Sequence, residues 1–280
     1  MKSEPEALYK NKLISKAYPK LDELAHNAFS TAVQSRHDDT ARLNRLNTYL
    51  SRLVDMESSR HVLVLGCGPH PQPISILAAN GHSVIGVEPV ESFVNSANEF
   101  LTDNAVVLQG AAESIPLEYQ SQDIVYFESV IEHVDSIRIS LSEIYRVLKP
   151  NGILYLSTTN RHKFSLTGTN GEYNIPFYNW MPRLLKESYI HHHLHFRPSL
   201  ANYTERPAVH WFTYQDLCAA GRDSGFARFY SLIDLMRPSD ESIKKSSFRQ
   251  RILKLTQQNP LVRSLALSQM SGHIIMWKRG

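Results

Sequence analysis

Cysteine is scarce in this sequence: Cys67 and Cys218 are the only two in 280 residues. Two cysteines cannot supply a disulfide framework, and their neighbourhoods lack metal-type spacing, so a reducing compartment is expected. Long apolar runs are missing as well. No window approaches about 18 uninterrupted apolar residues, which excludes a conventional membrane-spanning helix. The opening stretch MKSEPEALYKNKLISKAYPK has no apolar core of the signal-peptide kind, and a cytoplasmic location is expected. Charge of one sign is not in excess. The formal net charge of +3 is too small to imply nucleic acid, and no such partner is expected. There is neither an internal repeat nor a low-complexity tract. A chain that is 42% hydrophobic and 20% charged belongs with ordinary folded proteins, and its length suits one large domain or a domain carrying a subdomain.

What is present divides by periodicity. Residues 5–56 read as helical; in TARLNRLNTYLSRLVDM, Leu43, Leu46, Leu50 and Leu53 recur at helical spacing, and Asp38 or Asp39 is placed to cap that helix. From residue 61 short apolar runs alternate with helical segments. HVLVL, SVIGV, AVVLQ, DIVYFES and GILYLSTT read as strands. ISILAAN (stopping at Gly81), VESFVNSANEFL and SIRISLSEIYRVL (closed by Pro150) read as helices. Continuous apolar strands separated by helices predict a parallel sheet covered on both faces. Residues 160–209 hold aromatics, prolines and histidines without a clear period, the mark of a lid or substrate segment. Order returns with TYQDLCAAGRDSG as a helix, FARFYSLIDL as a strand, a basic helical stretch over 241–268, and GHIIMWKR as a final strand.

One turn lacks something specific. VLVLGCGPHPQP runs from a strand into Gly66 and Gly68, but the third glycine of a dinucleotide fingerprint is replaced by Pro71. Pro69, Pro71 and Pro73 favour extended backbone around His70 and Gln72 and predict a helix start near Pro73. Few N–H groups then remain to cradle a phosphate, and the Gly-Lys-Ser/Thr ending of a nucleoside triphosphate loop is absent. A ribose-bearing ligand without phosphate fits better. Glu88 ends the second strand 22 residues after Gly66, near the ~20 at which an acid meets ribose hydroxyls.

Further motifs raise the specificity. VLVLGCG, VIGVEP, GAAESIPLEYQSQDIVYFESVIEHV and LSEIYRVLKPNGILYLSTTN occur in order from about residue 61 to 160, and HWFTYQDLCAAGRDSGF follows later. Together they resemble the class I S-adenosylmethionine-dependent methyltransferases of the small-molecule type. The resemblance implies a three-layer, Rossmann-like α/β fold with a mostly parallel seven-stranded sheet and an antiparallel last strand. It implies the division 1–57 as an N-terminal helical cap, 58–160 and 210–280 as the cofactor-binding core, and 161–209 as an inserted substrate lid. The implied cofactor is S-adenosylmethionine, leaving as S-adenosylhomocysteine, with no metal.

By the same resemblance, the backbone of Gly66, Cys67 and Gly68 would pass under the methionine portion of the cofactor. Glu88 would take the ribose hydroxyls, Pro89 or Val90 would flank the adenine, and Ala112 and Glu113 would lie beside its ring. Glu128 and Ser129 would stand near the methionine amino group and the sulfonium. Two positions depart from the family pattern: Val64 where an acid inside the first strand is usual, and Ala111 where an aspartate is common.

The expected reaction moves a methyl group to an oxygen, or secondarily a nitrogen, of a small molecule such as a sugar, a lipid-linked intermediate or a secondary metabolite. A base is needed only if the acceptor must lose a proton; His133 and His210 are the candidates. Arg161, Tyr173, Tyr178 and His193 are candidate acceptor contacts. The run of His191, His192, His193 and His195 lacks the acid or cysteine that would complete a zinc site. The basic stretch 241–268 suits weak contact with an anionic membrane surface. A monomer or homodimer is expected. Two rivals stay open. One is a catalytically silent cofactor- or partner-binding domain, kept by Val64 and Ala111; the other is a nicotinamide-dependent oxidoreductase, against which Pro71 counts.

Overall fold

The computed structural model describes residues 39–69, 71–158, 160, 177, 181–182, 185, 210–269 and 272–280. Of the expected N-terminal helices, the described part is α1 (Asp39–Leu50). The candidate acceptor residues Arg161, Tyr173, Tyr178 and His193, the rest of the histidine run, and His70 lie outside the described residues.

The alternating pattern builds β1 (His61–Leu65), α2 (Gln72–Ala79), β2 (Ser83–Glu88), α3 (Glu91–Asn98), β3 (Ala105–Gln109), β4 (Gln122–Glu128), α4 (Ile137–Val147) and β5 (Leu148–Thr158). After the segment 161–209 come α5 (Tyr214–Asp223), β6 (Arg228–Tyr230), α6 (Leu232–Leu235), α7 (Glu241–Lys244), α8 (Ser247–Gln258), α9 (Pro260–Gln269) and β7 (Gly272–Trp277). Seven strands form one sheet in the order β3-β2-β1-β4-β5-β7-β6. Five strands run parallel from β3 to β5, while β7 is antiparallel to both β5 and β6. The fold is the expected α/β architecture.

Alternation of side chains along each strand divides the core into two layers. On β4, Ile124 and Tyr126 face α1 and α2, whereas Val125 and Phe127 face α4 and α5. Leu43, Leu46 and Leu50 of α1 are buried on the first face, as their spacing predicts. Gly86 on β2 carries no side chain for a packing reason: an added Cβ would lie 2.5 Å from Ile74 Cδ1 of α2 and 2.8 Å from Val107 Cγ2. The missing side chain lets α2 lie close to the sheet.

The boundaries were legible where a cap or glycine marks them. The helix α2 stops at Asn80, followed by Gly81 at φ +88°, a conformation that suits glycine. The helix α5 opens on a capping box, Thr213 with Asp216. Three expectations need correction. FARFYSLIDL is not one strand: β6 covers Arg228–Tyr230, and a second capping box, Ser231 with Asp234, starts α6 immediately afterwards. The stretch 241–268 is three helices, because Ser246 caps α8 and Asn259 separates α8 from α9. Finally, α4 ends at Val147, ahead of Pro150. The strand β5 begins at Leu148 and bulges through Asn151 (φ +65°) before regaining register at Ile153.

Candidate functional site

The carboxyl ends of adjacent parallel strands form the rim where open α/β sheets bind ligands. Leu65 on β1 pairs with Val87 on β2 and with Phe127 on β4. The next residues along each strand, Gly66, Glu88 and Glu128, therefore stand side by side on that rim. Glu128 in turn pairs with Ser157 of β5, which pairs with His273 of β7.

The glycine turn leaves β1 with Gly66 and Gly68 both at φ +66°, the left-handed region that glycine adopts without penalty. The Gly66 N–H donates to the Val87 carbonyl at 2.8 Å. A Cβ on Gly66 would meet Val130 Cγ2 at 2.4 Å, so the turn also lies hard against the loop after β4. Glu88 is buried and braces this turn. Its Oε2 accepts the Gly68 N–H at 3.0 Å, and its Oε1 accepts the Val90 N–H at 3.2 Å. A carboxylate has about four lone-pair sites, and these two bonds use one on each oxygen. Cys67 turns inward: its Sγ would be 3.1 Å from a Cβ on Gly86. Burial, reinforced by the Glu88 carboxylate, pushes the Cys67 thiol well above its ordinary value, so it is no nucleophile.

The neighbouring loop after β3 is pinned from α4. Arg146 donates to the Ile115 and Leu117 carbonyls, and Glu143 accepts the Ile115 N–H. Ala112 packs into the core there. The Glu113 carboxylate accepts the backbone N–H groups of Asp135 (2.6 Å) and Ser136 (3.3 Å), just ahead of α4. Pro89 follows Glu88 on the rim, its carbonyl accepting from Gln109 Nε2 at 3.4 Å.

Beyond β4, Ser129 adopts φ +53°, uncommon for a residue with a side chain, and its N–H donates to the Ser157 carbonyl at 2.9 Å. Glu128 is paired with Arg42 of α1, Nη1 to Oε2 at 2.6 Å. His133 is partly buried in the loop that follows, its N–H bonded to the Val130 carbonyl. His210 is buried, with Nε2 2.9 Å from the Val134 carbonyl, and a carbonyl can only accept. Nε2 thus carries hydrogen, and any base function of this ring falls to Nδ1. The structure therefore brings His133 and His210 to the same loop from either side of the segment 161–209.

Several residues at this rim carry no local sequence signal. Glu132 is buried and accepts from Thr158 Oγ1 at 3.0 Å, and its backbone carbonyl accepts the His210 N–H. Beneath Glu128, Tyr126 donates to Asn47 Oδ1 of α1 at 2.8 Å. Tyr155 stands edge-on to Tyr126, with its hydroxyl 2.8 Å from His273 Nδ1. Burial, with Arg42 adding to it, pushes the His273 imidazole down to about 4. Burial and then Glu128 raise both tyrosine hydroxyls, so all three groups are neutral near pH 7. The periodicity marks both tyrosines only as strand residues.

The turn's geometry matches a phosphate-free ligand with hydroxyls: backbone closeness from two left-handed glycines and a buried carboxylate beside them. Among the described residues no cluster of His, Cys, Asp and Glu could hold a metal ion. The same region decides the comparison with known proteins, where residues 63–156 match the family described as Methyltransferase domain. Residues 63–156 are thus a methyltransferase domain. Among curated relatives of this methyltransferase is a protein named Ubiquinone biosynthesis O-methyltransferase from Rickettsia akari. It is 26% identical over 60% of this chain and 68% of its own length. A protein of the same name from Bradyrhizobium diazoefficiens is 31% identical, over 44% of this chain and 48% of its own. The chain thus spans about half the length of several of these relatives. An S-adenosylmethionine-dependent methyltransferase structure from Mesorhizobium loti shares the fold, with TM-score 0.51 and 15% identity over 82% of this chain and 95% of that one.

Proposed function

We propose that this methyltransferase moves a methyl group from S-adenosylmethionine to an oxygen of a small-molecule acceptor. The observation that carries the reading is the Gly66–Gly68 turn braced by buried Glu88 on the strand rim. When bound, the cofactor supplies a methyl group on a sulfonium, already activated for in-line displacement.

The residues of the chain then have to bind, align and keep out water. The backbone of Gly66, Cys67 and Gly68 would hold the methionine portion. Glu88, already oriented by two backbone N–H groups, accepts the ribose diol. Pro89 and Ala112 flank the adenine. Glu113 serves this end from behind, by holding the start of α4 in place. Glu128 and Ser129 would hold the amino group and the sulfonium end. An acceptor hydroxyl would have to give up its proton in the transfer. His133 takes that proton directly, or His210 does so through Nδ1. The segment 161–209 between β5 and α5, with Arg161, Tyr173, Tyr178 and His193, supplies acceptor contacts. Oxygen is favoured over nitrogen because the curated relatives carry the name O-methyltransferase.

Isothermal titration calorimetry with S-adenosylmethionine, S-adenosylhomocysteine and NADH tests the cofactor assignment. Binding of both sulfur compounds and not of NADH is expected. Silence toward both at millimolar concentration would overturn it. Turnover of His133→Ala and His210→Ala at saturating cofactor tests the base; full rate in both would remove proton abstraction from either ring.

A further inference from the structure

The helices α8 and α9 display an apolar stripe left exposed among the described residues. On α8, Phe248, Ile252 and Leu255 follow i, i+4, i+7 spacing and so share one face. They are 69%, 46% and 52% exposed, while the inward face buries Leu253 and Thr256. On α9, Leu261 and Leu265 repeat the i, i+4 pattern at 82% and 65% exposure. Single exposed leucines need no explanation, but five large apolar side chains on two consecutive helices do.

The charge around the stripe selects its partner. Residues 241–269 contain six basic side chains (Lys244, Lys245, Arg249, Arg251, Lys254 and Arg263) and one acid, Glu241. Lys244 is paired with Glu241, and Arg263 is committed to Asp234 of α6. Lys245 shares the Glu241 carboxylate with Lys244, while no ion pair joins Arg251 or Lys254 to a carboxylate among the described residues. Arg251 lies three residues after Phe248 and four before Leu255, so a cation flanks the apolar stripe directly. No helix among the described residues is long and apolar enough to cross a membrane. Apolar side chains bordered by cations are the chemistry of a helix that lies in the headgroup region of an anionic bilayer.

The two helices are firmly attached to the body of the protein. Gln257 Nε2 donates to the Ile233 and Met236 carbonyls, and Arg263 is joined to Asp234 by both guanidinium nitrogens. On the site side, Asn160, just past the end of β5, donates through Nδ2 to the Leu267 carbonyl of α9 at 2.7 Å. The exposed stripe is therefore fixed beside the strand rim rather than loosely tethered.

We propose that α8 and α9 form a peripheral docking surface for an anionic phospholipid membrane. It inserts Phe248, Ile252, Leu255, Leu261 and Leu265 among the acyl chains, with Lys245, Arg251 and Lys254 on the lipid phosphates. The inference is independent of the acceptor and of methyl transfer, and its test needs no turnover.

The full chain is mixed with vesicles of phosphatidylcholine, alone or with about 30% phosphatidylglycerol, and bound protein is read by flotation. Binding is expected on the anionic vesicles only and should weaken as salt rises. Arg251→Gln with Lys254→Gln should reduce it about 25-fold, on the scale of about 1 kcal/mol per cation. Phe248→Gln with Leu261→Gln should lower it at least about tenfold. All four positions are exposed, so thermal midpoints should stay at the parent value. As a second measurement, Phe248→Trp should give emission that shifts to the blue only with anionic vesicles. No binding, equal binding to neutral vesicles, or binding indifferent to both pairs of substitutions would overturn the proposal. So would concentration-dependent dimerisation abolished by Phe248→Gln with Leu261→Gln in the absence of vesicle binding, which would give the stripe to a second copy.

Discussion

The two halves of the strand rim are built by different means. On the β1–β2 side, Gly66, Gly68, Glu88 and Val90 lie within 25 residues of one another, and the holding bonds run from one carboxylate to backbone N–H groups. On the β4–β5–β7 side, the contacts join distant parts of the chain. Arg42 reaches Glu128 from 86 residues away, Asn47 reaches Tyr126 across 79, and His273 meets Tyr155 across 118. The first half is local and backbone-defined; the second is assembled by side chains. This division also answers the loss of an acid at Val64. The brace of the glycine turn comes from β2, through Glu88, and β1 needs none.

The largest effect should come from breaking the backbone-defined half. Gly66→Ala puts a side chain at φ +66° and a Cβ 2.4 Å from Val130 Cγ2, a branched side chain that cannot swing clear. A loss of about 2–4 kcal/mol of stability is expected from left-handed strain and overpacking together, measured by denaturant unfolding. Gly66→Ala with Val130→Ala should regain the packing share only.

The next test sharpens the role of Glu88. Glu88→Ala strands the buried Gly68 N–H and the part-buried Val90 N–H and should weaken S-adenosylmethionine by about 10- to 100-fold, read by calorimetry. Glu88→Gln keeps one oxygen acceptor and should fall between the two. Unchanged cofactor affinity in Glu88→Ala would confine this residue to bracing the turn.

On the side-chain half, His273 is held neutral in the folded protein at about 4 against an ordinary 6.5. Unfolding between these values takes up a proton, so its contribution to stability is complete above pH 6.5 and is lost as pH falls toward 4. The loss is about 3 kcal/mol at most. His273→Gln should flatten that part of the stability–pH curve relative to the parent. Arg42→Ala should have the smallest effect. Its pair with Glu128 is partly exposed, so less than about 1 kcal/mol of stability is expected. Its removal should also let the His273 imidazole titrate at higher pH, followed by NMR.

Much of this was legible beforehand because it depends on short-range rules. Continuous apolar strands, the Gly66 and Gly68 turn and the acid at Glu88 are all local patterns. FARFYSLIDL was misread because Ser231 and Asp234 can cap a helix inside an apolar run, and the run itself outweighed that signal. Glu113 shows a similar limit. Its carboxylate accepts from the Asp135 and Ser136 N–H groups, whose nearness only the folded loop creates.

The sequence by itself determined the strand–helix alternation, the left-handed turn after β1 and the position of Glu88, because backbone sterics and side-chain period act over a few residues. Only the tertiary structure decided that Arg42 meets Glu128, that His210 binds the Val134 carbonyl and His273 pairs with Tyr155, and that Phe248 and Leu261 stay exposed among the described residues. Those outcomes depend on which distant surfaces pack together, and burial then sets which groups keep their charge.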